Sequence, residues 1–259
     1  MSKQSISVDL TGRVMLITGA SAGIGEALAR SAAGGGAKVV LAARRLDRLE
    51  RVAAEIEAAG GAALAVTMDV TDEASTIAAY DAAERRFGTV DTVIANAGIG
   101  HRDRATDTPM ADYDRVMAIN VRGVFLTVRE GARRLIAGGS AGHKRGRVVI
   151  VSSITATKAM PSTVVYGASK AAALHMGRCF ARDWLKLGVN VNMVLPGYIH
   201  TELTEDLLSG PHGEAFVAQF PRTRVMQTEE VIPMLLYLAS DAASAITGAA
   251  FTIDDGQTF

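Results

Sequence analysis

Six or seven short apolar runs recur along the chain, and each alternates with a segment of helical character. RVMLITGA, KVVLAARR, ALAVTMDV, VDTVIANAG, RVVIVSS and VNVNMVLPG are continuous apolar runs, and AAFTIDDG adds a short last one. Strands of that kind must be covered on both faces, which an all-antiparallel sheet facing water does not require. The intervening segments GEALARSAAGGG, LDRLERVAAEIEAAGG, TDEASTIAAYDAAERRFG and TEEVIPMLLYLASDAA supply the cover, together with two long helices. The long ones are ADYDRVMAINVRGVFLTVREGARRLIA and TVVYGASKAAALHMGRCFARDWLKLG. Right-handed crossovers then give an α/β fold, a doubly wound, mostly parallel seven-stranded sheet flanked by helices. No linker or repeat breaks the alternation, so the sequence predicts a single domain over residues 1–259. Residues from about 198 to 226 are the one long stretch with weak periodicity, and they follow a strand's carboxyl end. They read as a substrate lid.

Charge narrows the partners. The chain carries 27 basic and 27 acidic residues, mixed along its length. Such a balance offers no electrostatic footprint for nucleic acid or an anionic membrane surface. No run approaches the roughly 18 apolar residues of a membrane span, and MSKQSISVDL has no apolar core of a signal peptide. The single cysteine, Cys179, fits a reducing compartment and reads as a buried small hydrophobe. A cytoplasmic, soluble protein is the expectation.

The glycines of ITGASAGIG lie between the first strand and the first helix. A helix N-terminus presents unpaired N–H groups and partial positive charge, so a pyrophosphate suits it when no Cβ stands in the way. Gly19 and Gly23 would open that approach, and Gly25 would let the helix pack on the sheet; an ordinary tight turn is the alternative. The spacing TGASAGIG is T-G-x-x-x-G-x-G. ANAG at 95–98, Asn120, Ser153, YGASK at 166–170 and PG at 196–197 follow in order. With this ordered set the sequence resembles the short-chain dehydrogenase/reductases over essentially its whole length.

The resemblance implies a Rossmann-type domain, a nicotinamide cofactor and a carbonyl or secondary alcohol as small-molecule substrate. It places cofactor contacts at Ser21 and Ile24 of the glycine turn, and at Asp69 and Val70 flanking the adenine. Asn96 and Gly98 follow, with Gly98 read as backbone beside cofactor, and then Pro196, Gly197, Ile199 and Thr201. A strand-end cap for Asp69 and turn chemistry for Asn96 are the local alternatives. The second strand ends in Ala43 where an acid would serve NAD, and Arg44 and Arg45 follow. Guanidinium groups there would pair with a 2′-phosphate, so NADP(H) is predicted, with Arg44 the stronger contact. Solvated charges beside Asp47 and Glu50 are the competing reading, and Ala22 supplies no basic residue to the turn.

Tyr166 and Lys170 are four residues apart in a helical segment and share a face, about 6 Å apart along the axis. A phenol titrates near 10 when free, and an adjacent ammonium favours its ionised form. Tyr166 can then exchange a proton with the substrate oxygen, while Lys170 holds the nicotinamide ribose. Ser153, at a strand's carboxyl end, would hydrogen-bond the reacting oxygen. By resemblance, Asn120 sits at a helix break and holds a water leading to Lys170.

His101, His143, His175, His200 and His212 form no metal pattern, and no metal is expected. His101 and His200 could face substrate, and Met160, Tyr198 and Met226 could shape an apolar pocket. Two departures stand out: ANAG for the usual NNAG, and Asp255 where the C-terminal motif usually has glycine. The implied activity is NADP(H)-dependent carbonyl–alcohol oxidoreduction. A 3-oxoacyl-[acyl-carrier-protein] reductase shares every motif, and a non-catalytic nucleotide sensor is the rival of another class. The family often forms homotetramers through its long helices, and KAAALHMGRCFA offers small residues for such contact.

Overall fold

Alternation along each strand divides the apolar residues between two cores. Met15 and Ile17 of β1 (Val14–Thr18) pack on one side of the sheet, Val14 and Leu16 on the other. The structure, a computed structural model, describes residues 8–259. The segment read above for a leader lies mostly outside the described residues.

β2 (Lys38–Ala43), β3 (Ala62–Thr67), β4 (Thr92–Ala95), β5 (Gly146–Val151), β6 (Val189–Pro196) and β7 (Ala250–Ile253) complete one sheet of seven strands. Their order is β3-β2-β1-β4-β5-β6-β7, and every pairing is parallel. The chain winds one way from β1 to β3 and the other way from β4 onward. Beside β1 and β4 the crossovers therefore part company and leave a crevice at the strands' carboxyl ends. One face is covered by α1 (Gly23–Gly34), α2 (Leu46–Ala58) and, downstream, the helix Ile232–Ala239. The other is covered by α3 (Glu73–Phe87) and the two long helical segments.

Local signals held where they rest on backbone chemistry. Asp72 caps α3 by accepting from the Ala74 N–H at 2.9 Å, and Gly88 ends it with φ +86°. The stretch expected as one long helix is a rod with a widened turn: α4 (Met110–Met117), a π-turn (Ala118–Gly123) and α5 (Val124–Ala137). Asn120 occupies that turn, which is the break its predicted role calls for. A short α6 (Ser140–His143), unforeseen, leads into β5.

α7 (Val164–Trp184) corrects the reading of Cys179, which is exposed. Gly177, Phe180 and Ala181 turn inward on this helix, and Cys179 falls between them on the outward stripe. Residues 198–226 return on themselves: Ile199 pairs with Met226 in an isolated bridge, so both ends of the segment are fixed together. Within it lie α8 (Glu205–Leu208) and α9 (Gly210–Val217), and α10 is the helix Ile232–Ala239 already named.

The π-turn is seated by contact with β3's exit. A Cβ built on Gly123 would stand 2.7 Å from Val70 Cγ2. Gly123→Ala should therefore destabilise the fold by roughly 1–3 kcal/mol through overpacking. Urea denaturation should show a clearly smaller loss for the same change in a Val70→Ala background.

Candidate active site

A cleft of about 710 Å³ opens at the carboxyl ends of the strands, on the crevice that the winding leaves. Every cofactor and catalytic residue named from the sequence borders it except Gly25 and Asn120, which are buried behind its wall. The glycines turn out to serve different ends. A Cβ on Gly19 would meet the Ala97 Cα at 2.9 Å, and one on Gly25 would meet the Gly19 carbonyl oxygen at 2.5 Å. Those two positions are glycine because chain segments touch. Gly23 shares a left-handed backbone with Gly19 (φ +57° and +69°) but has open space, the nearest atom a Cβ would meet being Thr201 Cγ2 at 3.4 Å. At Gly98 a Cβ would sit 3.2 Å from both Asn120 Oδ1 and Lys170 Nζ, so the bare backbone there also keeps room for those two side chains.

The inner wall is built by β5 and α7. Ser153 is 7% exposed, and its hydroxyl accepts the Thr155 N–H at 3.2 Å, capping a short 3-10 turn. Lys170 is 5% exposed; its ammonium donates to the Val151 carbonyl at 3.0 Å and lies 5.8 Å from the centre of the Tyr166 ring. Burial pushes the Lys170 ammonium down to about 8. It also pushes the Tyr166 phenol up to about 12, against a lowering by Ser153. Lys170 is not among the groups that lower the phenol here. Desolvation outweighs the protein's own easing of the phenol, and Ser153 is the group that provides it.

Asn120 is completely buried and has no free side-chain group. Its Oδ1 accepts the Ile99 N–H at 2.9 Å; its Nδ2 donates to the Ile99 carbonyl at 2.9 Å and to Ser169 Oγ at 3.0 Å. Ser169 in turn donates to the Tyr166 carbonyl at 2.7 Å. The π-turn, the β4 exit and α7 are held in register through this one amide.

At the far end of the cleft Arg45 reaches back to the glycine turn, with Nε 3.2 Å and Nη2 3.0 Å from Ser21 Oγ. A guanidinium thus arrives where Ala22 offers none. Arg45 and Arg48 both pair with Glu202, and neither meets Asp47 or Glu50. Arg44 has no ion pair or side-chain hydrogen bond among the described residues and lines the cleft. Asp69 does act as a strand-end cap, accepting Thr71 N at 2.9 Å and Thr71 Oγ1 at 2.8 Å. These hydrogen bonds hold its carboxyl below the usual range. Asn96 likewise spends its amide on the Thr18 carbonyl, at 2.9 Å.

Sequence reasoning missed the clasp on residues 198–226. Gln257 Oε1 accepts the Tyr198 N–H at 2.6 Å, and Asp255 pairs with Arg222 at 2.9 Å and Arg224 at 2.7 Å. Asp255 takes a left-handed backbone, φ +53°, where glycine would be unstrained, and its two arginines hold the other end of the loop. Inside the loop, Tyr198, Phe216 and Phe220 stack together, and the Tyr198 hydroxyl meets Met160 Sδ at 3.1 Å. Met226 is buried in the bridge to Ile199 instead of facing the cleft. His101 lines the cleft and His200 does not. Among the described residues no cluster of side chains could hold a metal ion.

The family model described as enoyl-(acyl carrier protein) reductase matches residues 19–258. The chain is 35% identical over 259 residues to the D-threitol dehydrogenase of Mycolicibacterium smegmatis, covering 98% of both chains. The chain belongs to the short-chain dehydrogenase/reductases. This short-chain dehydrogenase/reductase is an oxidoreductase of alcohols and their carbonyl partners. It superposes on a gluconate 5-dehydrogenase from Burkholderia cenocepacia, solved with NADP and tartrate, with TM-score 0.90, 31% identity and 96% of each chain covered. A 3-ketoacyl-(acyl-carrier-protein) reductase from Brucella melitensis, solved with NADH, matches with TM-score 0.88 and 34% identity. It covers 97% of this chain and 100% of that one. A nicotinamide dinucleotide is the cofactor class, and the solved relatives carry either form.

The depressed Lys170 gives this dehydrogenase/reductase a pH signature. Above about pH 8 the buried ammonium loses its proton, well before a free lysine near 10.5 would. The kcat/KM for the nicotinamide cofactor, which reports the free enzyme, should be level below that pH and fall about tenfold per unit above it. Initial rates between pH 6 and 10 check this, and a level profile to pH 10 would remove Lys170's charge from cofactor capture.

Proposed function

We propose that the chain is an NADP(H)-dependent carbonyl reductase and alcohol dehydrogenase acting on a small-molecule substrate. One observation carries the reading: the Tyr166 phenol, the Ser153 hydroxyl and the Lys170 ammonium converge on the inner wall of the cleft. A sensor of nucleotides has no use for a buried proton donor with its own hydrogen-bonding serine.

The residues present fit a dinucleotide. The α1 N-terminus opens on the cleft through Gly23, the position where a Cβ would have space but the wrong backbone. Its free N–H groups suit a pyrophosphate. At the adenosine end β2 closes on Ala43 with no carboxylate, and Arg44 and Arg45 stand beside it, which favours a 2′-phosphate. Lys170 would hold the nicotinamide ribose through its hydroxyls, and Asn120 keeps Lys170's helix in place. When bound, the nicotinamide ring supplies or takes the hydride.

Tyr166 donates its proton to the substrate oxygen in reduction and takes one from the hydroxyl in oxidation. Ser153 fixes that oxygen by hydrogen bond as its charge develops. Burial favours the protonated phenol, the form needed as acid in reduction; in oxidation Tyr166 acts as the phenolate, which the positive charge of an oxidised nicotinamide would favour. Residues 198–226 act as the lid, with the ring cluster of Tyr198, Phe216 of α9 and Phe220 just beyond it as its apolar part. The whole chain serves as one domain, in a cytoplasmic setting that the lone cysteine suits. Among the described residues no helix is long and apolar enough to cross a membrane.

Homotetramer formation is part of the same reading. Phe125 on α5 is 38% exposed and Val164 on α7 59%, apolar surface on the two long helices themselves. Sizing chromatography at micromolar concentration should give four times the 27.1 kDa chain mass; elution as a monomer removes this element.

Tyr166→Phe should keep NADPH affinity within about threefold while kcat falls roughly 10²–10⁴-fold, the usual worth of a positioned acid. Wild-type turnover in that variant would end the phenol's role. A panel of ketones, diketones and acyl thioesters with both cofactors places the substrate. Preference for carrier-bound 3-oxoacyl thioesters would assign the chain to that reductase class.

A further inference from the structure

Three arginines crowd the end of β2, and the carboxylate that meets two of them comes from the lid. Arg45 Nη1 donates to Glu202 Oε2 at 3.1 Å, and Arg48 Nη1 donates to Glu202 Oε1 at 2.5 Å. Both carboxylate oxygens are engaged, and the guanidinium groups hold the Glu202 carboxyl below the usual range. Glu202 lies 157 residues from Arg45 in sequence. It sits at the head of the lid, and with Arg44 and Arg45 it lines the adenosine end of the cleft. Nearby, Arg51 pairs with Glu26 and Glu55, and Arg30 with the same two acids, which leaves Arg44 as the arginine of the corner without an ion pair among the described residues.

We propose that Glu202 is a cofactor-discriminating residue, an internal anion that occupies Arg45 and Arg48 until a 2′-phosphate replaces it. The inference rests on the assignment of NADP(H) above and deepens it. Glu202 takes the Nη1 donors of both Arg45 and Arg48, the same donors a phosphate seated between them would take. A phosphate carrying close to two charges displaces a half-exposed carboxylate carrying one, whereas the 2′-hydroxyl of NADH does not. NADPH therefore binds with the loss of two lid ion pairs, and NADH binds with them intact. Glu202 lowers the margin by which the arginines favour NADPH, and it ties that margin to the lid.

Fluorescence titration of NADPH and NADH against the wild type and Glu202→Gln tests this. Exposed ion pairs of this kind are individually weak, so NADPH should tighten roughly three- to tenfold and NADH should move less than about twofold. The gain should shrink in high salt. It should vanish in an Arg45→Ala, Arg48→Ala background, where a merely structural effect of the substitution would persist. Unchanged or weaker NADPH binding in Glu202→Gln overturns the proposal. So does a selective loss of NADH affinity, which would make Glu202 a ribose ligand. The wild-type titration separately tests the cofactor assignment: tighter NADH than NADPH defeats NADP(H), whatever Glu202 does. Tighter NADPH in the wild type with an inert Glu202→Gln defeats this inference alone.

Discussion

Lys170 is an ammonium almost wholly withdrawn from water, and the catalytic end of the molecule is arranged around that withdrawal. Burying a charge is costly unless it is hydrogen-bonded. Val151 supplies a carbonyl to the ammonium, and Ser152 Oγ ties down the lysine's own carbonyl at 2.9 Å. Gly98 keeps the space beside the ammonium clear. Asn120 then fixes what surrounds it, since one amide binds the β4 exit and, through Ser169, the turn of α7 that carries Tyr166. The π-turn follows from the same need, as it is where Asn120 leaves the rod and enters the wall. Remove the buried amide, and the phenol and ammonium lose a common frame.

The parts legible in the sequence were those set by periodicity and by backbone chemistry. Most of the strands are continuous apolar runs covered on both faces, so a parallel, doubly wound sheet followed from the alternation of strand and helix with right-handed crossovers. Tyr166 and Lys170 could be placed together because helical geometry fixes four-residue spacing. The reasons for individual residues were harder to read. Gly25 is the helix-to-sheet contact its place suggested, whereas Gly19 looks like an open approach to a ligand and in space also abuts Ala97. Cys179 was misplaced because a helix flanked by alanines gives little contrast between its faces. α8 and α9, of 4 and 8 residues, are too short to form without tertiary support, so no periodic signal announced them.

Long-range ion pairs were the least legible of all. Asp255 looks like a defect in a glycine position until Arg222 and Arg224 arrive beside it. A left-handed backbone at an aspartate is tolerable, and more so than for a branched residue. What its side chain adds is an anchor for the far end of the lid loop, while Gln257 grips the near end at Tyr198. The C-terminal segment thus clasps residues 198–226 at both ends. Nothing in the order of residues says that positions 222 and 255 meet, because the meeting depends on the Ile199–Met226 bridge closing the loop first.

The two ends of the cleft treat charge in opposite ways, and this separates affinity from chemistry. At the adenosine end the arginines and Glu202 are about half exposed, so their interactions are screened by water and salt and can be exchanged at modest cost. At the catalytic end Lys170 and Ser153 are buried, and each electrostatic contact there is stronger and less replaceable. On the proposed reading, a change at the arginine corner would alter which dinucleotide is held without reaching the phenol, and a change near Lys170 would disturb proton transfer even with the dinucleotide bound. Discrimination at the first end can therefore drift by single surface charges, while the second end is fixed by the dry hydrogen-bond frame that Asn120 closes.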